Sequence, residues 1–76
     1  MMFLTITTVN NKTYYAFYST SFKHLVLNDF HNNKFVKVVD INGYKNFLQT
    51  SVIESIKVDD SKDALDNFKK LTGGID

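Results

Sequence analysis

The sequence predicts an α+β fold, because two hairpin signals and one well-defined helix pattern occur in a single chain of 76 residues. Asn10-Asn11 separates two runs rich in β-branched and aromatic residues, and Asn42-Gly43 separates two more. Asn and Gly tolerate the positive φ that tight hairpin turns require. We expect an antiparallel sheet of about five strands, made of two hairpins plus one strand, with a short helix between the hairpins and a C-terminal helix packed on the sheet.

The first hairpin joins residues 3–9 to residues 13–18, and both runs suit a pleated, half-buried surface. Taking Asn10-Asn11 as a two-residue turn fixes the register of this pair. That register predicts a core face formed by Leu4, Ile6, Tyr15 and Phe17.

Residues 21–31 are predicted to form a short helix between the hairpins. Ser19-Thr20-Ser21 offers N-cap oxygens, and Asn32-Asn33 can end the helix through a left-handed residue. The apolar side chains that recur at helical spacing are Phe22, Leu25, Val26 and Phe30. A strand is the alternative here, because Leu25-Val26-Leu27 is also a strand-like run.

The second hairpin joins residues 34–41 to residues 44–49 through Asn42-Gly43, read as a two-residue type I′ turn. The predicted ladder pairs Asp40 with Lys45 and Val38 with Phe47. Residues 34–41 carry apolar side chains on both faces, which predicts the middle strand of the sheet. Residues 52–58 form a further predicted strand after an interruption at Thr50-Ser51.

The C-terminal helix has the clearest pattern in the chain. Its predicted apolar stripe consists of Ala64, Leu65, Phe68 and Leu71. Its start is marked by capping and acidic residues, namely Asp59, Asp60, Ser61 and Asp63. Lys69-Lys70 precedes Gly73 at the other end. Residues 1–72 are thus predicted to be one globular domain, and residues 73–76 a flexible tail.

The composition argues against several kinds of site. The chain has no cysteine, which excludes disulfides and thiolate metal sites. His24 and His31 are too far apart on a helix to chelate one ion, and Glu54 has no paired carboxylate. We predict no metal, no cofactor and no catalytic residue. The N-terminal residues lack a basic start and a long apolar run, so we expect a cytoplasmic protein that does not bind a membrane.

Net charge is +1, which by itself does not indicate a polyanionic partner. The distribution is uneven, since residues 1–50 carry five lysines against two acids and residues 51–76 carry four lysines against six acids. A solvated surface of mixed charge explains most of this asymmetry.

The reverse face of the first hairpin is the predicted binding surface. It carries four candidate contact residues: Phe3, Lys12, Tyr14 and Tyr18. Aromatic residues are enriched in protein interfaces, which suggests a protein partner or a homodimer. Rings that stack on bases and lysines that contact phosphates would also suit single-stranded nucleic acid. A third interpretation is a second core layer beneath a helix.

Two short segments carry a family resemblance. Phe35-Val36-Lys37-Val38-Val39, followed by Gly43 and by the run from Ser51 to Ile56, resembles the ending of small uncharacterised bacterial and phage-type β-rich proteins. The same strands are similar to the closing strands of Sm-like barrels. The resemblance covers about a third of the chain and implies a phage or mobile-element origin, but it brings no functional motif.

From these observations we expect a small non-catalytic interaction protein that binds a protein partner or itself. The alternative is a nucleic-acid-binding small β-domain. The two would differ in salt dependence, because phosphate contacts weaken steeply as ionic strength rises.

Overall fold

The structure is a computed structural model that describes residues 1–20 and 22–72. It confirms the predicted α+β class, with five antiparallel strands and two helices. In chain order the elements are β1 (Met2–Thr8), β2 (Thr13–Tyr18), α1 (Lys23–Asn32), β3 (Phe35–Val39), β4 (Lys45–Gln49), a 3₁₀ turn (Thr50–Val52), β5 (Ile53–Asp59) and α2 (Ala64–Thr72). The predicted tail, residues 73–76, lies outside the described residues, as does Ser21.

The strands lie in the order β4-β3-β2-β1-β5, so β2 is the middle strand. The prediction that residues 34–41 form the middle of the sheet is therefore wrong. β3 lies one place from the edge, and Tyr15 of β2 pairs with Val39 of β3. Phe35 is 52% exposed, because no helix covers that end of β3 on one side of the sheet.

The loop between β1 and β2 contains three residues rather than the predicted two. The Thr8 N–H donates to the Lys12 carbonyl at 2.9 Å, and the Asn11 N–H donates to the Thr8 carbonyl at 3.0 Å. Asn11 has a φ of 63°, as the last residue of such a loop requires. The predicted register is consequently wrong by one position. The observed pairs include Phe3 with Phe17, Leu4 with Ala16 and Ile6 with Tyr14.

The loop between β3 and β4 has the same form. The Asp40 N–H donates to the Tyr44 carbonyl at 3.0 Å, and Gly43 has a φ of 86°. The type I′ prediction fails because Asn42 does not take a positive φ, so Ile41 joins the loop instead of ending the strand. The predicted pairs Asp40–Lys45 and Val38–Phe47 are wrong. The observed pairs are Val39 with Lys45 and Lys37 with Phe47.

One helix packs on each face of the sheet. On the first face, Val26 and Phe30 of α1 cover a cluster that includes Met2, Leu4, Ile6, Ala16, Val36 and Val38. On the second face, Ala64 and Phe68 of α2 pack with Phe3, Tyr15 and Val39. β1 and β2 are therefore buried from both sides, and their alternating side chains build two separate cores.

α1 buries a narrower stripe than predicted. Val26 and Phe30 are buried, whereas Leu25 is 52% exposed. The Thr20 hydroxyl accepts a hydrogen bond from the Phe22 N–H at 3.1 Å, immediately before the helix. The helix ends at Asn32 as expected, but Asn33 is extended, with a φ of −98°, and is not left-handed.

α2 begins after a turn that is organised by Asp59. Its carboxylate accepts hydrogen bonds from the Ser61 N–H at 3.0 Å and from the Asn67 Nδ2 at 2.9 Å. Asp59 therefore holds the turn before the helix and the side chain of Asn67, and neither bond is an N-cap bond to the first turn of α2. Leu71 was predicted in the buried stripe but is 41% exposed, because Thr72 occupies the inner position of the last turn.

Candidate binding surface

The predicted contact residues do not form one surface. Phe3 is buried on the α2 side, where its ring centroid lies 5.7 Å from that of Phe68. Tyr14 and Tyr18 point to the α1 side and pack against the core there. The prediction that Phe3 shares a face with the two tyrosines is wrong, because the three-residue loop shifts the register by one. Lys12 is exposed beside that loop.

Tyr18 is half buried and packs against the core on the α1 side. Its ring meets that of Phe30 edge to face, with centroids 6.4 Å apart. Burial and the nearby Asp29 carboxylate raise the pKa of the Tyr18 phenol above its ordinary value of 10.0. The folded state therefore favours the neutral phenol more than the unfolded state does. The resulting stabilisation of the fold is fully present below pH 10 and is lost as the pH rises through the raised pKa of Tyr18.

The second face of the sheet is only partly covered. Phe68 of α2 stacks on Phe17 at 5.5 Å and contacts Phe3, so the helix lies over β1 and β2. The side chains of β3 and β4 on this side extend beyond the helix. We call this region the open face: Phe35, Lys37, Lys45, Phe47 and Gln49. Phe47 is 77% exposed, the largest exposed fraction among the large apolar side chains in the described ranges.

A groove runs between α2 and the open face. Its volume is about 530 Å³, and its floor is apolar, with Phe17, Val39, Leu65 and Phe68 contributing to it. Three lysines line it: Lys37, Lys45 and Lys69. The site thus combines an apolar floor and positive charge with the exposed rings of Phe35 and Phe47 alongside.

The outer edge of β4 carries free backbone groups. Two backbone hydrogen bonds flank the β3–β4 ladder. At one end the Thr50 N–H donates to the Lys34 carbonyl at 2.9 Å, and at the other end the Asp40 N–H donates to the Tyr44 carbonyl at 3.0 Å. Hydrogen-bonded and non-bonded pairs alternate along an antiparallel ladder. The backbone groups of the even-numbered residues of β4 therefore face β3, and those of Lys45, Phe47 and Gln49 face outward. No strand in the part of the chain that the structure describes pairs with this edge.

The opposite edge, β5, has features that disfavour pairing. Its ladder with β1 is irregular between Thr7 and Thr8, and Glu54 and Lys57 are exposed along it. Bulges and charged side chains protect sheet edges from adding another strand. The ladder of β4 is regular over its whole length. β4 is thus the more open of the two edges.

Sequence reasoning missed the open face because the assumed turn placed Phe47 opposite Val38, in the core. One signal could have revealed it. Val36 and Val38 are apolar and Lys37 is charged, so strict alternation assigns Lys37 to the outer face of β3. The residue of β4 that pairs with Lys37 then lies on the same outer face, and in the structure that residue is Phe47.

The remaining candidates for chemistry are dispersed. His24 and His31 are both exposed on α1. Within residues 1–20 and 22–72, the histidine and acidic side chains form no group of three that could hold a metal ion. Neither α1 nor α2 has the length and apolar character that a membrane crossing requires.

Comparisons with known proteins found nothing similar: no protein-family model matches the chain, and no curated protein or solved structure matches it significantly. The open face, the groove and the β4 edge are therefore the features of the molecule that point to a function.

Proposed function

We propose that this protein is a small non-catalytic interaction module that self-associates by pairing β4 with β4 of a second copy. The observation that carries the proposal is the outer edge of β4, where the backbone groups of Lys45, Phe47 and Gln49 have no strand partner among the described residues. An edge strand with free N–H and carbonyl groups is a template for adding another strand.

The sequence of β4 suits antiparallel pairing about a two-fold axis at Phe47. Such pairing places Phe47 opposite Phe47 of the second copy, and Lys45 opposite Gln49 of the second copy. No like charges then face each other, and the two rings form a cross-strand aromatic pair. A two-fold contact uses the same residues on both copies, so a single strand is sufficient to form it.

The expected dimer is weak. Each backbone hydrogen bond contributes about 1 kcal/mol net, and an aromatic pair contributes a similar amount. Association costs at least about 4 kcal/mol in lost translational and rotational freedom. About six such bonds, at about 1–1.5 kcal/mol each, and one ring pair leave about 3–6 kcal/mol after this cost. We therefore expect dissociation constants of about 0.05–5 mM.

Sedimentation equilibrium across that concentration range tests the proposal. The wild-type chain is expected to shift from monomer to dimer as concentration rises. Phe47→Glu places two carboxylates together at the two-fold axis and is expected to raise the dissociation constant at least about tenfold. The matched control is Phe22→Glu, because Phe22 is 60% exposed and lies outside the sheet.

Two results would contradict the proposal. One is a wild-type chain that stays monomeric over the whole range. The other is an equal weakening of the dimer by Phe47→Glu and Phe22→Glu, which would place the contact elsewhere.

A further inference from the structure

We infer that the groove between α2 and the open face binds single-stranded nucleic acid. This inference goes beyond self-association and does not depend on it, because the groove is formed within one copy of the chain. Pairing of β4 with β4 would engage the two Phe47 rings with each other but would leave Phe35 and the three groove lysines exposed.

Charge is the first reason. Lys37, Lys45 and Lys69 line one groove, and none of the side chains that line it is acidic. In the described portion of the chain, the single ion pair is that of Lys23 with Asp60, at 3.7 Å, away from the groove. The three ammonium groups are thus available to contact an anionic partner, and phosphates are the anions that clustered lysines commonly bind.

The exposed rings are the second reason. Phe47 of β4 lies directly opposite Lys37 of β3. Phe35 is also on β3, two residues before Lys37, and so shares its face of the sheet. Both rings are more than half exposed, and neither stacks on another ring of the described residues. Rings on an open sheet face, interleaved with cations, provide stacking surfaces for successive unpaired bases.

The composition of the surface favours nucleic acid over an acidic protein segment. Lysine is depleted in protein interfaces relative to other surface, whereas here lysines and aromatic rings make up most of the open face. A single strand is favoured over a duplex, because the rings can stack only on bases that are not already stacked and paired.

The test is fluorescence anisotropy with a fluorescein-labelled oligothymidylate of twelve nucleotides, a length of about one small-domain site. The groove variant is Lys37→Gln/Lys45→Gln/Lys69→Gln. The matched control is Lys12→Gln/Lys57→Gln/Lys62→Gln, which removes the same charge from exposed positions that do not line the groove. Circular dichroism checks that both variants fold.

The groove variant is expected to lose at least about tenfold in affinity, and the control much less. The slope of log affinity against log salt is expected to fall by about 0.7 for each lysine contact removed. Phe35→Ser, which leaves β4 unchanged, is expected to weaken binding by about tenfold through lost stacking.

Three outcomes would overturn the inference: no binding of the oligonucleotide at low salt, equal loss in the groove and control variants, or preferential binding of a polyglutamate peptide over the oligonucleotide. The last outcome would identify the groove as a site for an acidic protein segment. None of these outcomes bears on the sedimentation result, so the two proposals can fail separately.

Discussion

Asn11 and Gly43 occupy the same position in the two hairpin loops. Each is the last of three loop residues, each has a positive φ, of 63° and 86°, and each donates its N–H to the residue that precedes the loop, Thr8 or Asp40 respectively. The side chains of Thr8 and Asp40 also match, because each accepts a hydrogen bond from the N–H four residues later. Both hairpins therefore depend on one left-handed residue.

Replacing Gly43 with valine tests this dependence. A β-branched residue at positive φ is strongly disfavoured, and the left-handed conformation costs about 1–2 kcal/mol for ordinary residues. We expect Gly43→Val to lower the free energy of unfolding by at least that amount, measured by urea denaturation. The control Asn11→Gly should change it by less than about 1 kcal/mol, because Gly takes a positive φ freely. An unchanged midpoint for Gly43→Val would refute the loop assignment.

The strands were predictable from the sequence, but their register was not. Alternating apolar runs and the Asn-rich and Gly-containing breaks locate both hairpins, and these signals are local. The register depends on whether one or two loop residues take a positive φ, and Asn42-Gly43 is compatible with either. The three-residue loop was adopted at both sites, so each predicted ladder is wrong by one residue and each side chain's partner changes.

The docking of α2 depends on Phe68, which is 4% exposed and contacts the rings of Phe3 and Phe17. Truncation to alanine removes these contacts and leaves a cavity between helix and sheet. We expect Phe68→Ala to cost about 3–5 kcal/mol in denaturant unfolding. Leu71→Ala, on the exposed side of the same helix, should cost less than about 1 kcal/mol. Equal effects would mean that α2 does not dock through Phe68.

Tyr18 provides a test of the core on the α1 side. Because its ring packs on Phe30, we expect Tyr18→Ser to destabilise the monomer by about 1–3 kcal/mol. Tyr44→Ser is the matched control, since Tyr44 is 70% exposed. Thermal unfolding monitored by circular dichroism separates the two. If Tyr18→Ser left stability unchanged, Tyr18 would be free to act as the contact residue that the sequence first predicted.

The turn before α2 should be sensitive to acid. Hydrogen bonds from Ser61 and Asn67 lower the pKa of the Asp59 carboxyl below its ordinary value of 3.8. The ionised Asp59 carboxylate therefore stabilises the fold above about pH 3.8, and this stabilisation is lost as the pH falls through the lowered pKa. We expect Asp59→Asn and Asn67→Ala to make the unfolding temperature less dependent on pH below about pH 4 than it is in the wild type. Identical pH profiles would show that these hydrogen bonds do not form.

The candidate site was the least predictable part of the molecule. Lys37 and Lys45 belong to the second hairpin, and Lys69 belongs to α2, much later in the chain. They line one groove only because α2 packs over β1, β2 and the end of β3 at Val39, and leaves β4 and the rest of β3 uncovered on that face. No local pattern encodes that placement, since it is set by the fit of Phe68 between Phe3 and Phe17.

The most direct test of self-association is amide hydrogen exchange along β4 at low and high protein concentration. The amides of Asn46 and Leu48 face β3 and should be protected at both concentrations. The Phe47 amide faces outward, so the proposed pairing predicts exchange that is at least about twofold slower at about 5 mM than at about 10 μM, in proportion to the fall in the monomer fraction. An equal exchange rate of Phe47 at both concentrations would contradict pairing through this edge.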